Sequence, residues 1–429
     1  MSVLLNNRNY RNLLLAQITS LAGTGISTIA LALLAWDLAG ANAGSVLGTA
    51  LALKMVAYVA LAPAIGVWAH KLPRKHWLAG LDFIRAALIL CLPFVTQIWQ
   101  VYVLIFVINA CSAGFTPVYQ SVLPQILPDR SDYIKALSWS RMAYDLEQLL
   151  SPLLAGLLLS SIGFRELFVA DTVTFLVSGL LIVFCTIPKA LEPKRQKGIL
   201  HNLHFGLSSY LKTPRLRALW GAYFAVASGS AMLIVNTVVY VKENLKGGEQ
   251  ETALAMSVAG LGSMLIALKL PGWLKKFSDR SAILAGGGLI TLALITGSME
   301  PGWPVYLLTC LMIGMGLSFI QPPAGALITR FCQESDAPAY FAANFSLSHF
   351  CWFLAYLLAG WSSTALGLSI SYTLMATLAV AGVIYARHTY PNPDPEELTH
   401  THSAKDQSSI PVEHSHHFVI DNEHRRWPT

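Results

Sequence analysis

Residues 136–160 read ALSWSRMAYDLEQLLSPLLAGLLLS, a run long and apolar enough to cross a bilayer that nevertheless carries Arg141, Asp145 and Glu147 well inside it. An ionisable group at that depth costs on the order of 3 kcal/mol, and such groups face a partner or a water-filled path. The stretch therefore reads as a working transmembrane helix. Of the 429 residues, 54% are apolar and only 12% charged, against roughly a quarter charged in a soluble domain. Twelve apolar runs recur, at about 13–36, 45–69, 77–95, 99–120, 136–160, 165–187, 217–241, 251–273, 282–299, 303–325, 338–363 and 368–387. Each can span roughly 30 Å of hydrocarbon, so an all-α polytopic membrane protein is expected. The first run is too long for a signal-peptide core and lacks a cleavage site, so no targeting segment is expected.

The net charge of +6 raises a nucleic-acid reading that the placement of the charges opposes. Arg8, Arg11, Lys71, Arg74, Lys75, Arg130, Lys135, seven residues between Lys189 and Arg217, Lys275, Lys276, Arg280, Arg330 and Arg387 lie in alternate connections; the opposite ones hold Arg165, Lys242 and Lys246. That bias places both termini in the cytoplasm and the protein in the cytoplasmic membrane, with lipid as its surroundings and no nucleic-acid partner. A monomer is expected. Cys91, Cys111, Cys185, Cys310, Cys332 and Cys351 show no paired spacing and read as free thiols.

The second half of the chain repeats the first. At an offset of 206, Gly23 falls on Gly229, Gly66 on Gly272, Arg74 on Arg280 and Leu78-Ala79-Gly80 on Leu284-Ala285-Gly286. At 204, Ser131-Asp132 falls on Ser335-Asp336 and Leu153-Leu154-Ala155-Gly156 on Leu357-Leu358-Ala359-Gly360. Six helices per repeat is an even number, so the repeats are parallel, related by an axis along the membrane normal. The expected domains are a six-helix bundle at 1–187, a basic cytoplasmic linker at 188–216, a second bundle at 217–388 and a His-rich tail at 389–429, extended and disordered in composition. Such a layout is that of an alternating-access transporter with its site between the halves.

The loop Gly66-Val67-Trp68-Ala69-His70-Lys71-Leu72-Pro73-Arg74-Lys75 resembles the major facilitator signature Gly-x-x-x-Asp-Arg-x-Gly-Arg-Lys, with His70 in place of Asp and Pro73 in place of Gly. Phe115-Thr116-Pro117 to Leu123-Pro124, and Asp171 ahead of Phe175-Leu176-Val177-Ser178, are similar to the branch of siderophore, macrolide and metal-resistance exporters. Glu147-x-x-x-Ser151-Pro152-x-x-Ala155-Gly156 resembles the antiporter signature, in which small residues let helices approach and proline permits a bend. The resemblance implies the twelve-helix major facilitator fold, export in exchange for protons, and gating roles at Gly66, His70, Lys71, Arg74, Ser151, Pro152 and Gly156. Asp82 and Arg85, within about two turns of the cytoplasmic end of the third run, read as gate or loop anchors rather than substrate ligands.

Asp145 lies near mid-membrane, and the offset of 204 pairs it with His349 at similar depth. A carboxylate and an imidazole there can take protons or bind a cation; the alternative is that Asp145 merely pairs with Arg141 at i, i+4. Glu147 sits about 200° around the helix from Asp145 and serves different surroundings. Lys54 is deep and needs a carboxylate. Asp171 is a proton-site candidate or a structural group, and Gln17, Asn109, Gln120, Asn236 and Gln321 line the expected cavity or join helices.

The tail holds His400, His402, His414, His416, His417 and His424 among Glu413, Asp421 and Glu423. Imidazole suits zinc, copper, nickel and cobalt, and nickel-resistance exporters of this family carry similar His-rich C-termini. The leading expectation is proton-coupled export of a divalent transition metal, by rocking of 1–187 against 217–387. Beside it stand export of a siderophore or macrolide-like solute through an aromatic cavity (Trp36, Tyr58, Phe115, Tyr119, Trp352, Phe353) and a non-transporting scaffold or metal sensor. No phosphate loop and no clustered nucleophile and base are present, so neither an enzyme nor a cofactor is expected.

Overall fold

The computed structural model describes residues 6–39, 43–68, 73–159, 161–189, 199–392, 398–401, 413–416, 418–420 and 427. The first half comprises α1 (Arg8–Ala39), α2 (Ala43–Trp68), α3 (Arg74–Cys91), α4 (Ile98–Ile126), α5 (Arg130–Leu159) and α6 (Glu166–Val183). A short helix, α7 (Ile199–Lys212), lies in the basic linker. The second half comprises α8 (Pro214–Ala231), a π turn at Met232–Asn236, α9 (Thr237–Glu243), α10 (Glu249–Trp273), α11 (Asp279–Ser298), α12 (Trp303–Arg330), α13 (Ala337–Leu366) and α14 (Leu368–Thr389). The π turn leaves α8 and α9 as one interrupted span, so each half contributes six.

The internal repeat is realised element by element. Shifted by 206, α1 falls on Pro214–Glu243, α2 on α10 and α3 on α11; shifted by 204, α4, α5 and α6 fall on α12, α13 and α14. Ten helices among the described residues are long and apolar enough to cross a membrane. The two remaining are α2, whose apolar core is Thr49–Ile65, and α5, which carries Asp132, Lys135, Arg141, Asp145 and Glu147. Lipid replaces water on the outer faces, where Leu157, Leu268 and Trp361 are 61–70% exposed.

Burial in lipid gives helices no hydrophobic reason to associate, so close backbone approach has to supply the packing. Glycines do this in the second half. A Cβ on Gly314 of α12 would lie 1.8 Å from the Ala259 carbonyl of α10, and one on Gly262 would lie 2.3 Å from the Leu311 carbonyl. Gly382 meets Gly221 in the same way between α14 and α8. The turn between α13 and α14 is a single residue, Gly367, with φ of +90°, a conformation that costs glycine little.

Two features depart from the sequence reading. The linker contains α7, which packs Phe205 and Tyr210 into the second-half core. The Tyr210 hydroxyl bonds Asn344 at 2.9 Å, and burial pushes it well above the usual phenol range, so it remains a neutral donor. The tail was expected to be disordered throughout, yet β1 (Leu398–Thr401) and β2 (Glu413–His416) form an antiparallel pair. Beyond them Phe418 and Ile420 are buried, which supplies the apolar anchoring that composition concealed.

Gly314→Leu should be destabilised by about 1–3 kcal/mol or more through overpacking. Gly360→Ala, whose new methyl meets only Val235 at 3.9 Å, should be tolerated; thermal unfolding of the two purified variants checks this.

Candidate functional site between the halves

The halves meet along two crossings that the repeat makes equivalent: α5 against α10 and α12, and α13 against α2 and α4. At the first crossing, α5 reaches the other half through a charged side chain. Asp145, 4% exposed, accepts from Arg141 Nη2 at 2.6 Å. The same guanidinium donates from Nε to Ser263 Oγ at 3.1 Å and from Nη1 to Gln321 Oε1 at 2.9 Å. Ser263 is linked to Ser318 at 2.6 Å. The i, i+4 ion pair is therefore real, and its cation is bolted to two helices of the opposite half. Asp145 Oδ2 is buried and makes no hydrogen bond, which leaves one carboxylate oxygen open to a proton or a donor.

At the equivalent crossing the contacts are aromatic. Tyr58 of α2 packs edge-on against Phe345 and His349 of α13 at 5.0 and 4.8 Å. His349 also meets Trp352 at 4.9 Å, and Ser346 donates to the Val59 carbonyl at 2.7 Å. His349 Nδ1 lies 2.7 Å from the Phe345 carbonyl. A carbonyl only accepts, so Nδ1 carries the proton and Nε2 of the neutral ring is an acceptor. Lys54 sits 5.7 Å over the Tyr58 ring and acts electrostatically on both His349 and Glu147. Trp352 Nε1 is a buried donor without a partner among the described residues. The pseudo-symmetric pair Asp145 and His349 thus belongs to two separate contact sets, one ionic and one aromatic.

A third contact joins the halves at the end where the basic loops lie. Arg130, the first residue of α5, donates to Asp279 of α11 at 2.9 Å, with Arg330 of α12 3.9 Å from the same oxygen. Asp279 opens its helix, where the dipole favours a carboxylate. Arg74, nearly fully buried, donates to Gln125 at 2.6 Å and lies within the field of Glu334 from the second half. Ala326 of α12 packs into the first-half cluster around Tyr133.

Several sequence candidates turn out to organise one half internally. Asp171 accepts from Ser27 and, at 3.1 Å, from Thr174, beside Gly23 of α1, where any Cβ would collide with Thr174. Asp82 accepts from Ser178 at 2.6 Å and holds Arg85, whose guanidinium lies between Phe115 and Phe175 at 4.5 and 4.6 Å. Asn109 bonds its own helix at Ile105. Asn236 in the π turn bonds the Ala359 carbonyl at 3.2 Å. Gln17 accepts from Ser140 and Tyr119 at 2.9 and 3.2 Å. Ser151 and Glu147 of the antiporter-like motif press on Gly25 of α1, where an added Cβ would fall 1.7 Å from Ser151 Oγ; Pro152 and Gly156 lie within α5, and Gly66 within α2. His70, Lys71, His402, His417 and His424 fall outside the described residues.

Sequence reasoning missed Ser263, Ser318 and the Arg130–Asp279 contact. The repeat held a signal for the last: Asp279-Arg280 occupies the place of Pro73-Arg74, so the second-half loop carries an acidic residue where the first half has proline. In a double-mutant cycle on thermal stability, Arg130→Ala and Asp279→Ala should couple by about 1 kcal/mol or less, because Arg130 is half exposed and screened; additive effects would show that the pair contributes no closure.

The profile of the Major Facilitator Superfamily matches residues 13–227 and again 219–422, about once per half. An uncharacterized MFS-type transporter of Bacillus subtilis, YkuC, is 28% identical over 251 residues, 54% of this chain and 57% of its own length, so the chain spans little more than half of that relative. Macrolide efflux protein A of Streptococcus pyogenes is 22% identical over 79% of this chain and 86% of its own. The solved structure of the human organic anion transporter MFSD10 (TETRAN) superposes with a TM-score of 0.76 at 13% identity, covering 88% of this chain and 99% of that one. With two parallel six-helix repeats that meet across a polar, buried crossing, the chain belongs to the Major Facilitator Superfamily and is a membrane-spanning transporter rather than an enzyme.

Proposed function

We propose that this transporter exports an organic solute across the cytoplasmic membrane in exchange for protons, with both termini in the cytoplasm. The observation that carries the reading is the Arg141–Asp145 pair with its cross-half bonds to Ser263 and Gln321. While Asp145 is ionised it orients Arg141, and Arg141 ties the halves at mid-depth. A proton on the open Oδ2 removes the anion, leaves a buried guanidinium without its counter-charge, and so favours the arrangement in which the halves part. Release of cargo on the outer side and loss of the proton on the inner side complete the exchange.

The aromatic crossing supports an organic cargo. Tyr58, Phe345, His349 and Trp352 offer ring faces, the Trp352 donor and the His349 Nε2 acceptor, a mostly apolar surface with few convergent polar groups. Resemblance to macrolide efflux proteins points the same way. Macrolide uptake into inverted vesicles, driven by an inside-acid gradient, should fall about tenfold or more in Asp145→Asn, the rate equivalent of about 1.4 kcal/mol. Equal uptake in variant and parent would remove Asp145 from the coupling.

A divalent metal cargo is the second reading, favoured by one observation. The strand register sets His400 directly opposite His414. No group of three or more His, Cys, Asp or Glu able to hold a metal is present among the described residues. Nickel titration of the full chain by calorimetry should therefore show binding that weakens in His400→Ala with His414→Ala, while vesicle uptake of nickel, if it occurs, marks metal as cargo.

A further inference from the structure

Phe418, Ile420 and Trp427 are seated on the second half at the end where the halves close. Phe418 and Ile420 are each 3% exposed, and the Tyr340 hydroxyl of α13 donates to the Ile420 carbonyl at 3.5 Å. Trp427 packs edge-on against Phe418 at 4.9 Å and against Phe331 at 6.1 Å. The Arg215 guanidinium, at the start of α8, lies 4.5 Å from the Phe331 ring and 5.2 Å from that of Trp427. A cation held over two rings, one of them fully buried, is well placed for cation–π attraction.

Phe331 is also the residue that follows Arg330. The Arg330 guanidinium lies 5.1 Å over the Phe331 ring, and its Nη1 is 3.9 Å from Asp279, which in turn receives Arg130 of the first half at 2.9 Å. An unbroken set of contacts therefore runs from Trp427 through Phe331, Arg330 and Asp279 to Arg130. The described tail residues Phe418, Ile420 and Trp427 meet second-half side chains, and the side chain they fix is part of the contact between the halves.

We propose that Phe418, Ile420 and Trp427 form an intramolecular latch. Seated on Phe331, they hold Arg330 against Asp279, keep Asp279 aimed at Arg130, and so favour closure of the basic-loop end; unseating them releases that end to open. The device is independent of which solute is carried. Any ligand or modification that withdraws the tail changes the balance between closed and open forms, because it acts on one of the two states only.

Hydrogen exchange of the full-length protein in lipid nanodiscs, read by mass spectrometry, tests this without cargo, so its outcome is separate from that of the proposed export activity. In Trp427→Ala, amides of residues 130–137 in the first half should exchange several-fold faster, together with those of 279–285 and 327–340, while 8–30 keep their protection. Phe418→Ala should act in the same direction, Trp427→Phe should restore most of the protection, and Trp361→Ala on the lipid face should change none of these segments. Faster exchange confined to 327–340, uniform acceleration including 8–30, or no change in either Trp427→Ala or Phe418→Ala would each overturn the latch.

Discussion

A buried guanidinium cannot be left alone in hydrocarbon, and that constraint organises the centre of this molecule. Arg141 is satisfied by one carboxylate on its own helix and two polar groups on the opposite half. Two of its three partners stand on the opposite half, so meeting of the halves at mid-depth is what satisfies the charge in this arrangement. Around this point α10 and α12 have to approach closely enough to present Ser263 and Gln321 together. Gly262 and Gly314 permit that approach, since any larger residue at either would strike a facing carbonyl.

The two equivalent crossings have diverged while keeping their geometry. Arg141 of α5 corresponds under the repeat to Phe345 of α13, and Asp145 to His349. One crossing is fastened by charge and the other by rings, with Tyr58 and Trp352 around a histidine whose Nδ1 is committed to a backbone carbonyl. On the proposed reading this division separates labour: the ionic crossing senses protons and the aromatic one meets the cargo. A symmetric pair of carboxylates would instead have placed two like charges at one depth, at greater cost.

Much of this was legible in the sequence. The twelve spans, the parallel repeat and the candidate pair at 145 and 349 follow from hydropathy and from a constant offset, because both are written into residue order. The destination of a side chain is not. Asp171 and Asp82 read as candidates from their depth alone, but their partners Ser27 and Ser178 stand on other helices, and only packing reveals that each is absorbed within one half. Arg141 reads as a local i, i+4 partner of Asp145 because the local pair is visible in sequence and Ser263, more than a hundred residues away, is not. The seating of Phe418 and Trp427 was hidden for a compositional reason: two rings in a polar, His-rich stretch look solvated until the pocket beside Arg215 and Phe331 is seen.

On the proposed reading cargo and proton compete through Asp145, and linkage makes the competition reciprocal: if protonation weakens cargo binding, cargo binding must expel the proton. Proton release on adding a macrolide to the purified protein in weakly buffered solution, followed with a pH-indicating dye, measures it directly. Release should approach about one proton per bound cargo molecule when the starting pH leaves Asp145 protonated, and should be lost in Asp145→Asn. Cargo binding with no proton release at any pH, or with undiminished release in the variant, would contradict it.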